Sequence, residues 1–305
     1  MSFQLKILGS NSATPAFGRY PTSQLLTVGS HYFLIDCGEG CQMQLSRYRV
    51  RTSRISQIFI SHLHGDHYFG LIGLLNTFGL MGRKNGLTLY GPPKLSDVLT
   101  AHFRASQTVL GFPIHFVELY ATEPNTILEN AQLSVTAFPV QHRIDCWGFL
   151  FREKPKPRRI NKETIPADLS VEDIIALKNS QNVVNTDGTI RYQNEKYTLP
   201  PRKSRSYAYC ADTRYFELLA EWVSEVDLLY HETTFMDQER ELAEQRYHST
   251  TLQAATIAKR AKVDILLIGH FSSRYRDLSP LLEEAKTVFS NTLLATEGQD
   301  FTIPE

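Results

Sequence analysis

Short apolar runs broken by Gly, Ser and Pro open the chain: FQLKILG from residue 3, SQLLTVG from 23 and HYFLIDCG from 31. Runs of this length between such punctuation predict β-strands. A helical pattern follows over Cys41–Tyr48, then a strand at QIFIS. Helical spacing recurs over Tyr68–Met81 and Lys94–Ser106, with the strand LTLYG between them. The runs IHFVEL, AQLSVTAFPV and CWGFLF predict three more strands. After Arg152 the texture changes: up to Arg205 the chain is polar and irregular, with prolines at 155, 157, 166, 200 and 201. From SRSYAYCADT onward, the strands DLLYHE, DILLIGH and TLLATEG alternate with helices over Arg214–Glu225, Thr250–Lys262 and Ser279–Phe289. Strand-rich halves with helices between them imply sheets packed face to face with helices outside, a layered α/β fold carrying an inserted arm at 152–205.

Composition bounds the function classes. The chain has 305 residues, 42% hydrophobic and 21% charged, enough for one large α/β domain or two ordinary ones, either with a sizeable core. Its formal net charge is zero, which by itself gives no reason to expect a nucleic-acid or membrane partner. The neutral total is uneven, however. Residues 152–205 hold twelve Lys/Arg and seven Asp/Glu, a net +5, so the remainder carries −5. The opening REKPKPRRINK is the densest piece. No run of about 18 apolar residues exists, so no transmembrane helix is expected, and the N-terminus lacks the layout of a signal peptide. A cytoplasmic location is the expectation. Cys37, Cys41, Cys146 and Cys210 show no zinc-finger spacing and read as unpaired thiols.

The chemistry concentrates in SHLHGDHYFG, Ser61–Gly70, where His62, His64, Asp66 and His67 fall within six positions. In an extended segment residues two apart point the same way, so His62 and His64 project together. Asp66 and His67 sit where the chain enters the next helix and can face a second centre. Neutral imidazole with carboxylate is the ligand set of zinc or a similar divalent ion. Two centres require further donors, and His142, Asp212 and His270 each stand where a β-run stops. One centre then takes His62, His64 and His142 and the other Asp66, His67 and His270, with Asp212 bridging.

H-x-H-x-D-H followed by a later His, Asp and His resembles the metallo-β-lactamase fold superfamily. The Asp66–His67 pair argues against its iron-dependent redox branch, which typically has Glu in place of His64. The segments LGSNSATP, ADTR (211–214), HETTF (231–235), HST (248–250) and GHFSSRY (269–275), in this order, narrow the resemblance to the ribonuclease Z family of tRNA 3′-processing endonucleases. That resemblance implies a four-layer αββα sandwich with two Zn²⁺ per subunit, working as a homodimer on precursor tRNA. It implies a cut just after the discriminator base, leaving a 3′-hydroxyl, and an arm that grips the tRNA. In family members the arm often has a Gly-rich tip, whereas Gly188 is the only glycine between Arg152 and Arg205 here.

Zinc brings a bound water near neutral pKa, and the resulting hydroxide is expected to attack phosphorus, with Asp66 orienting it. His248 is the candidate general acid for the leaving oxygen. Ser249 and Thr250 beside it suit a helix N-cap. Arg274 and the arm residues Lys156, Arg158 and Arg159 are candidate phosphate contacts, while His231 and Glu232 fit either a supporting role beside the ligands or a structural one. A related hydrolase of small phosphodiesters or thioesters would share the same metal chemistry; the basic arm favours RNA.

Overall fold

The computed structural model describes residues 2–305. Two seven-stranded sheets carry the fold. In spatial order the first runs Asp300–Thr302, Phe3–Gly9, Ser23–Val28, His31–Cys37, Ile55–Phe59, Leu87–Gly91 and Ile114–Glu118. The second runs Thr292–Leu294, Ile265–Gly269, Leu228–Glu232, Ser206–Cys210, Trp147–Glu153, Leu133–Pro139 and Asn125–Glu129. Both sheets have the same plan: one half is antiparallel, the other parallel.

Alternation along the strands sets the layers. Phe33 and Ile35 enter a core shared with Phe149, Phe151, Tyr207 and Tyr209 of the other sheet. Leu34 points the other way, into a second core with Leu71, Leu74, Leu75 and Leu99 of the helices Gly65–Leu80 and Leu95–Ala105. Aromatic rings fill the space between the sheets, Phe59 lying 5.3 Å from both Phe149 and Phe151. Helices Thr251–Ala261 and Ser279–Lys286 cover the outer face of the second sheet, burying Ala254, Ala258, Leu281 and Ala285. The result is the αββα sandwich expected. All four cysteines are buried and free. Among the described residues no helix is long and apolar enough to cross a membrane.

Several elements differ from the sequence reading. The helix expected from Tyr68 begins at Gly65, which places Asp66 and His67 in its first turn. Arg214–Glu225 is mostly irregular, with helix only over Leu219–Trp222. The strand Asn125–Glu129 and the helix Arg240–Arg246 are too polar to show a clear period and were not expected. The arm is not irregular. It joins the adjacent antiparallel strands Trp147–Glu153 and Ser206–Cys210 and has its own small core of Leu177, Val183 and Tyr192. It holds the helix Val171–Lys178, started by a capping box between Ser170 and Asp173, and two short β-ribbons.

A buried ion pair closes the root of this arm. Arg205 donates from its backbone N and Nε to Glu153 Oε2, each at 2.9 Å, and from Nη2 to Oε1 at 2.7 Å. Burial works against the Glu153 charge, but its bonds to Arg205 and Lys156 hold the carboxyl at about 2, below the usual 4.5. A carboxyl depressed on folding contributes stability above its unfolded pKa and loses that contribution as pH falls through the folded value. Glu153→Gln is therefore expected to lower the unfolding free energy by about 2–3 kcal/mol at neutral pH, since it leaves a buried guanidinium with only the more distant Glu305, 3.9 Å away, as counter-charge. In denaturant titrations the gap between variant and wild type should stay constant above about 4.5 and close toward about 2. A gap that persists at acid pH would contradict this.

Candidate metal centre

The side chains at the site come from strand ends on both sheets. His62 and His64 follow Ile55–Phe59, His142 follows Leu133–Pro139, Asp212 follows Ser206–Cys210 and His270 follows Ile265–Gly269. Open α/β sheets present functional groups at such carboxyl ends. Asp66 and His67 reach the same place because the helix start packs directly on the Cys37–Gly38 turn. A Cβ on Gly70 would lie 2.1 Å from the Gly38 carbonyl oxygen, and one on Gly38 would lie 2.3 Å from that of Asp66. Only glycines allow that approach.

The donors form two groups, with a third that includes His248. His62, His64, His142 and Asp212 make one, Asp66, His67 and His270 another, and Asp212, His248 and His270 the third. In the first, His64 Nδ1 is 3.0 Å from His62 Nε2 and 3.1 Å from His142 Nε2. Asp212 Oδ2 lies 3.6 Å from His62 Nε2 and 3.9 Å from His142 Nε2. In the second, His67 Nε2 is 3.3 Å from His270 Nε2, and Asp66 Oδ2 is 3.4 Å from His270 and 3.6 Å from His67. Asp212 Oδ1 faces this group, 3.1 Å from His270 and 3.3 Å from His67.

Four donors each about 2.0–2.1 Å from one tetrahedral ion lie roughly 3.4 Å apart, so these spacings fit divalent metal ions. Asp212 Oδ1 is buried and accepts no hydrogen bond among the described residues, as an oxygen reserved for a cation would be. The ring nitrogens agree. His67 Nδ1 is 2.7 Å from Asp36, His142 Nδ1 is 2.9 Å from the Tyr247 carbonyl and His270 Nδ1 is 2.9 Å from Thr234 Oγ1. Each is anchored at Nδ1 and turns Nε2 inward, the usual arrangement of a ligating histidine. His64 is reversed, with Nε2 3.1 Å from Arg143 Nη2.

Electrostatics separate the two groups. Burial, reinforced by His67, pushes His62 well below its usual pKa; burial and His142 take His64 to about 4, and burial lowers His142. These three stay neutral, the form that binds metal. Burial also opposes charge on His67, but Asp212, Asp66 and Asp36 outweigh it and raise its pKa. Burial would raise Asp66 and Asp212, yet the histidines around them hold both below the carboxylate range. That second group calls for positive charge.

Two carboxylates organise the surroundings. Asp36, not singled out in the sequence, accepts from Ser61 N at 2.8 Å, Ser61 Oγ at 2.9 Å, Tyr209 OH at 2.5 Å and His67 Nδ1. A charged residue inside the apolar run FLIDCG was the available signal. Glu232 is fully buried and takes backbone N–H bonds from Thr213, Ser249 and Thr234 at 2.9–3.1 Å. Its Oε1 also lies 2.9 Å from His248 Nδ1. Burial disfavours the His248 cation, but Glu232 raises its pKa to about 9. Thr250 caps the following helix in a capping box with Gln253, as the segment HST suggests. His231 is buried, belongs to none of the donor groups and does not line the cavity, and its Nδ1 lies 2.7 Å from the Glu232 carbonyl.

The site opens into a cavity of about 940 Å³ lined by His64, Asp66, His142, His248, His270 and Arg274, among others. Arg274 is exposed, pairs with Glu239 at 3.2 Å and lies over the Phe235 ring. Lys156, Arg158 and Arg159 are not brought to this cavity. They lie at the arm's root, where Lys156 pairs with Glu153 at 2.8 Å, Arg158 Nε donates to Thr198 Oγ1 at 2.7 Å and Arg159 Nε to the Pro200 carbonyl at 3.1 Å.

Comparison with known proteins places this geometry. A ribonuclease Z of Cytophaga hutchinsonii is 48% identical over 305 residues, covering 100% of this chain and 97% of that protein. The chain belongs to the ribonuclease Z family. Human tRNase Z, short form, superposes with a TM-score of 0.72 at 26% identity, over 99% of this chain and 100% of that one. The metallo-β-lactamase fold protein YhfI of Bacillus subtilis, 20% identical with a TM-score of 0.70 over 99% of this chain and 100% of that one, shares the fold. A family model described as the anti-Pycsar protein Apyc1 matches residues 3–155, a stretch that stops where the arm begins. The family read from the sequence motifs is thus the family found.

Asp36 sets the tautomer and direction of His67. Asp36→Ala leaves Ser61 N–H, the Tyr209 hydroxyl and His67 Nδ1 without their acceptor, and is expected to weaken metal retention about 10–100-fold. Titration of the folded variant against a competing chelator checks this. Retention equal to wild type would remove Asp36 from the account.

Proposed function

We propose that this chain is a zinc-dependent endoribonuclease that removes the 3′ trailer of precursor tRNA, cutting after the discriminator base to leave a 3′-hydroxyl. The reading includes two zinc ions per subunit, a homodimer and a cytoplasmic location. The observation that carries it is the joined donor set His62, His64, His142, Asp212, His270, His67 and Asp66, opening beside a Glu232-held imidazole into a large cavity. Membership of the ribonuclease Z family supplies the substrate class. A homodimer is supported by Met43, Phe69, Leu80 and Met81, large apolar side chains exposed along two neighbouring helices and the end of one of them.

His62, His64 and His142 would hold one ion, Asp66, His67 and His270 the other, and Asp212 would contribute an oxygen to each. Bound there, zinc supplies Lewis acidity toward phosphoryl oxygens and brings the pKa of water near 7. The remaining work belongs to the protein. Ala13 N donates to Asp66 Oδ2 at 2.7 Å, fixing the carboxylate that orients the nucleophile. His248 has Nδ1 tied to Glu232, so Nε2 is the atom left to face substrate. A protonated imidazole so held gives its proton to the departing 3′-oxygen. Arg274, which lines the cavity, would exchange its pairing with Glu239 for a phosphate of the substrate.

The arm would hold the body of the tRNA. Because its flanking strands are already antiparallel neighbours, residues 155–203 can be replaced by an Asn-Gly turn without unpairing the sheet. Purified metal-loaded protein is expected to cut a 3′-extended precursor tRNA once, after the discriminator base, and His64→Ala should abolish the cut. His248→Gln should slow it about 10²–10⁴-fold with metal content unchanged. The arm-less chain should lose tRNA cleavage yet still hydrolyse bis(p-nitrophenyl) phosphate. Hydrolysis of the small diester with no cut in tRNA by the intact protein would contradict the reading.

A further inference from the structure

The arm's excess positive charge lies at its root and is largely spent on the protein itself. Residues 152–160 and 199–205 hold eight Lys/Arg and one Glu. Of these, Lys154 pairs with Glu129, Lys156 with Glu153 and Glu305, Arg202 with Glu305, Lys203 with Asp227 and Asp264, and Arg205 with Glu153. The outer lobe, residues 161–198, has four Lys/Arg against six Asp/Glu, a net −2. One of those four, Arg191, is paired with Asp168 at 2.9 Å. A lobe of that sign adds no net attraction for a phosphate backbone, so the arm's cations that could meet phosphates lie at its root.

Unspent cationic charge lies elsewhere on the body. Between Glu39 and Asp66 there is no acidic residue, while Arg47, Arg49, Arg51 and Arg54 fall within eight positions. All four are exposed, and none makes an ion pair among the described residues. The local fold explains the clustering. Helix Cys41–Arg47 ends at Tyr48, Arg49 turns the chain with φ 54°, and the short 3₁₀ turn Thr52–Arg54 leads into Ile55–Phe59.

Arg49, Arg51 and Arg54 rim a surface hollow of about 250 Å³ that is also lined by Tyr32 and Tyr48. The Arg54 guanidinium lies 5.7 Å from the Tyr32 ring centre and that of Arg47 5.7 Å from Tyr48, contacts that restrain both planes. Asp300, the carboxylate lining this hollow, is taken by Lys6 at 2.7 Å. No large apolar side chain of the hollow is strongly exposed, so an apolar partner has little to bind. Arg54 and His62 flank the strand Ile55–Phe59, which separates them by on the order of 20 Å.

We propose that Arg47, Arg49, Arg51 and Arg54 form a second RNA contact surface, which holds phosphodiesters of the substrate far from the cut. The inference rests on the endoribonuclease reading and adds a docking site outside the arm. Guanidinium forks match phosphate oxygens in pairs, and each contact releases counterions, so the surface contributes affinity that falls with salt.

The test is equilibrium binding of precursor tRNA carrying a non-hydrolysable linkage at the cut, measured across a salt series with the full chain. In the Arg49→Ala/Arg51→Ala/Arg54→Ala variant, affinity should fall at least about tenfold near 0.15 M salt. The slope of log K against log salt should become shallower by about 2–3, given roughly 0.7–0.9 per contact. Hydrolysis of bis(p-nitrophenyl) phosphate should be unchanged, showing an intact site, and the triple Arg→Lys variant should keep the wild-type slope. An unchanged slope in protein that binds precursor overturns the inference. So does a change of oligomeric state in place of the slope, which would assign the arginines to a subunit contact. If wild-type protein does not bind precursor at all, the endoribonuclease reading falls first and this surface with it.

Discussion

Among the described residues, the carboxylate of Asp212 is the one group that faces both halves of the site. It stands within 3.1–3.9 Å of four imidazoles that come from different parts of the chain. Taking an ionised carboxylate out of water costs several kcal/mol unless it is paired. Here the pairing is arranged by topology. The strand before Asp212 lies between an antiparallel and a parallel neighbour, so it is central in its sheet and buried along its length. The metal-binding character of the site follows from that placement: oxygens aimed both ways, neutral imidazoles on one side and a demand for positive charge on the other.

Holding that arrangement strains the backbone. Asp36, Ala13, Tyr247 and His270 all have φ between 51° and 61°, a region that non-glycine residues rarely adopt. Each costs on the order of 1 kcal/mol, and all four touch the site directly or hold a residue that does. Asp36 orients His67, Ala13 N–H holds Asp66, the Tyr247 carbonyl anchors His142 and His270 supplies its own ring. The aromatic core between the sheets offsets this strain. Phe59, Phe149 and Phe151 pack closely beneath the strand ends that carry the donors.

Much of this was legible in the sequence because its signals are local. His62, His64, Asp66 and His67 announce themselves by crowding, and the strand ends at His142, Asp212 and His270 by apolar runs that stop at a polar residue. Sheets packed face to face with helices outside were readable from strand and helix periods, and the four-layer αββα order from the family resemblance. What stayed hidden depends on pairing across the fold. Asp36 looks like a stray charge in a strand until His67 and Tyr209 are seen to meet it. Glu232 could serve or merely cap a strand until His248 arrives from sixteen residues on. The arm misled because its apolar residues are too few to show a period, yet Leu177, Val183 and Tyr192 suffice for a small core once the capped helix and ribbons bring them together. Its charge was legible only as a sum, since a total of +5 does not tell where along the loop the charges fall or which carboxylates neutralise them.

The most direct test of the shared role of Asp212 is the metal content of folded wild-type and Asp212→Ala protein, purified without added chelator and measured by mass spectrometry of the elements. The account predicts two ions per chain in the wild type. It predicts loss of both, or retention of neither at full occupancy, in the variant, because one side chain completes both halves. Two ions fully retained without Asp212, or one half emptied while the other stays full, would contradict it.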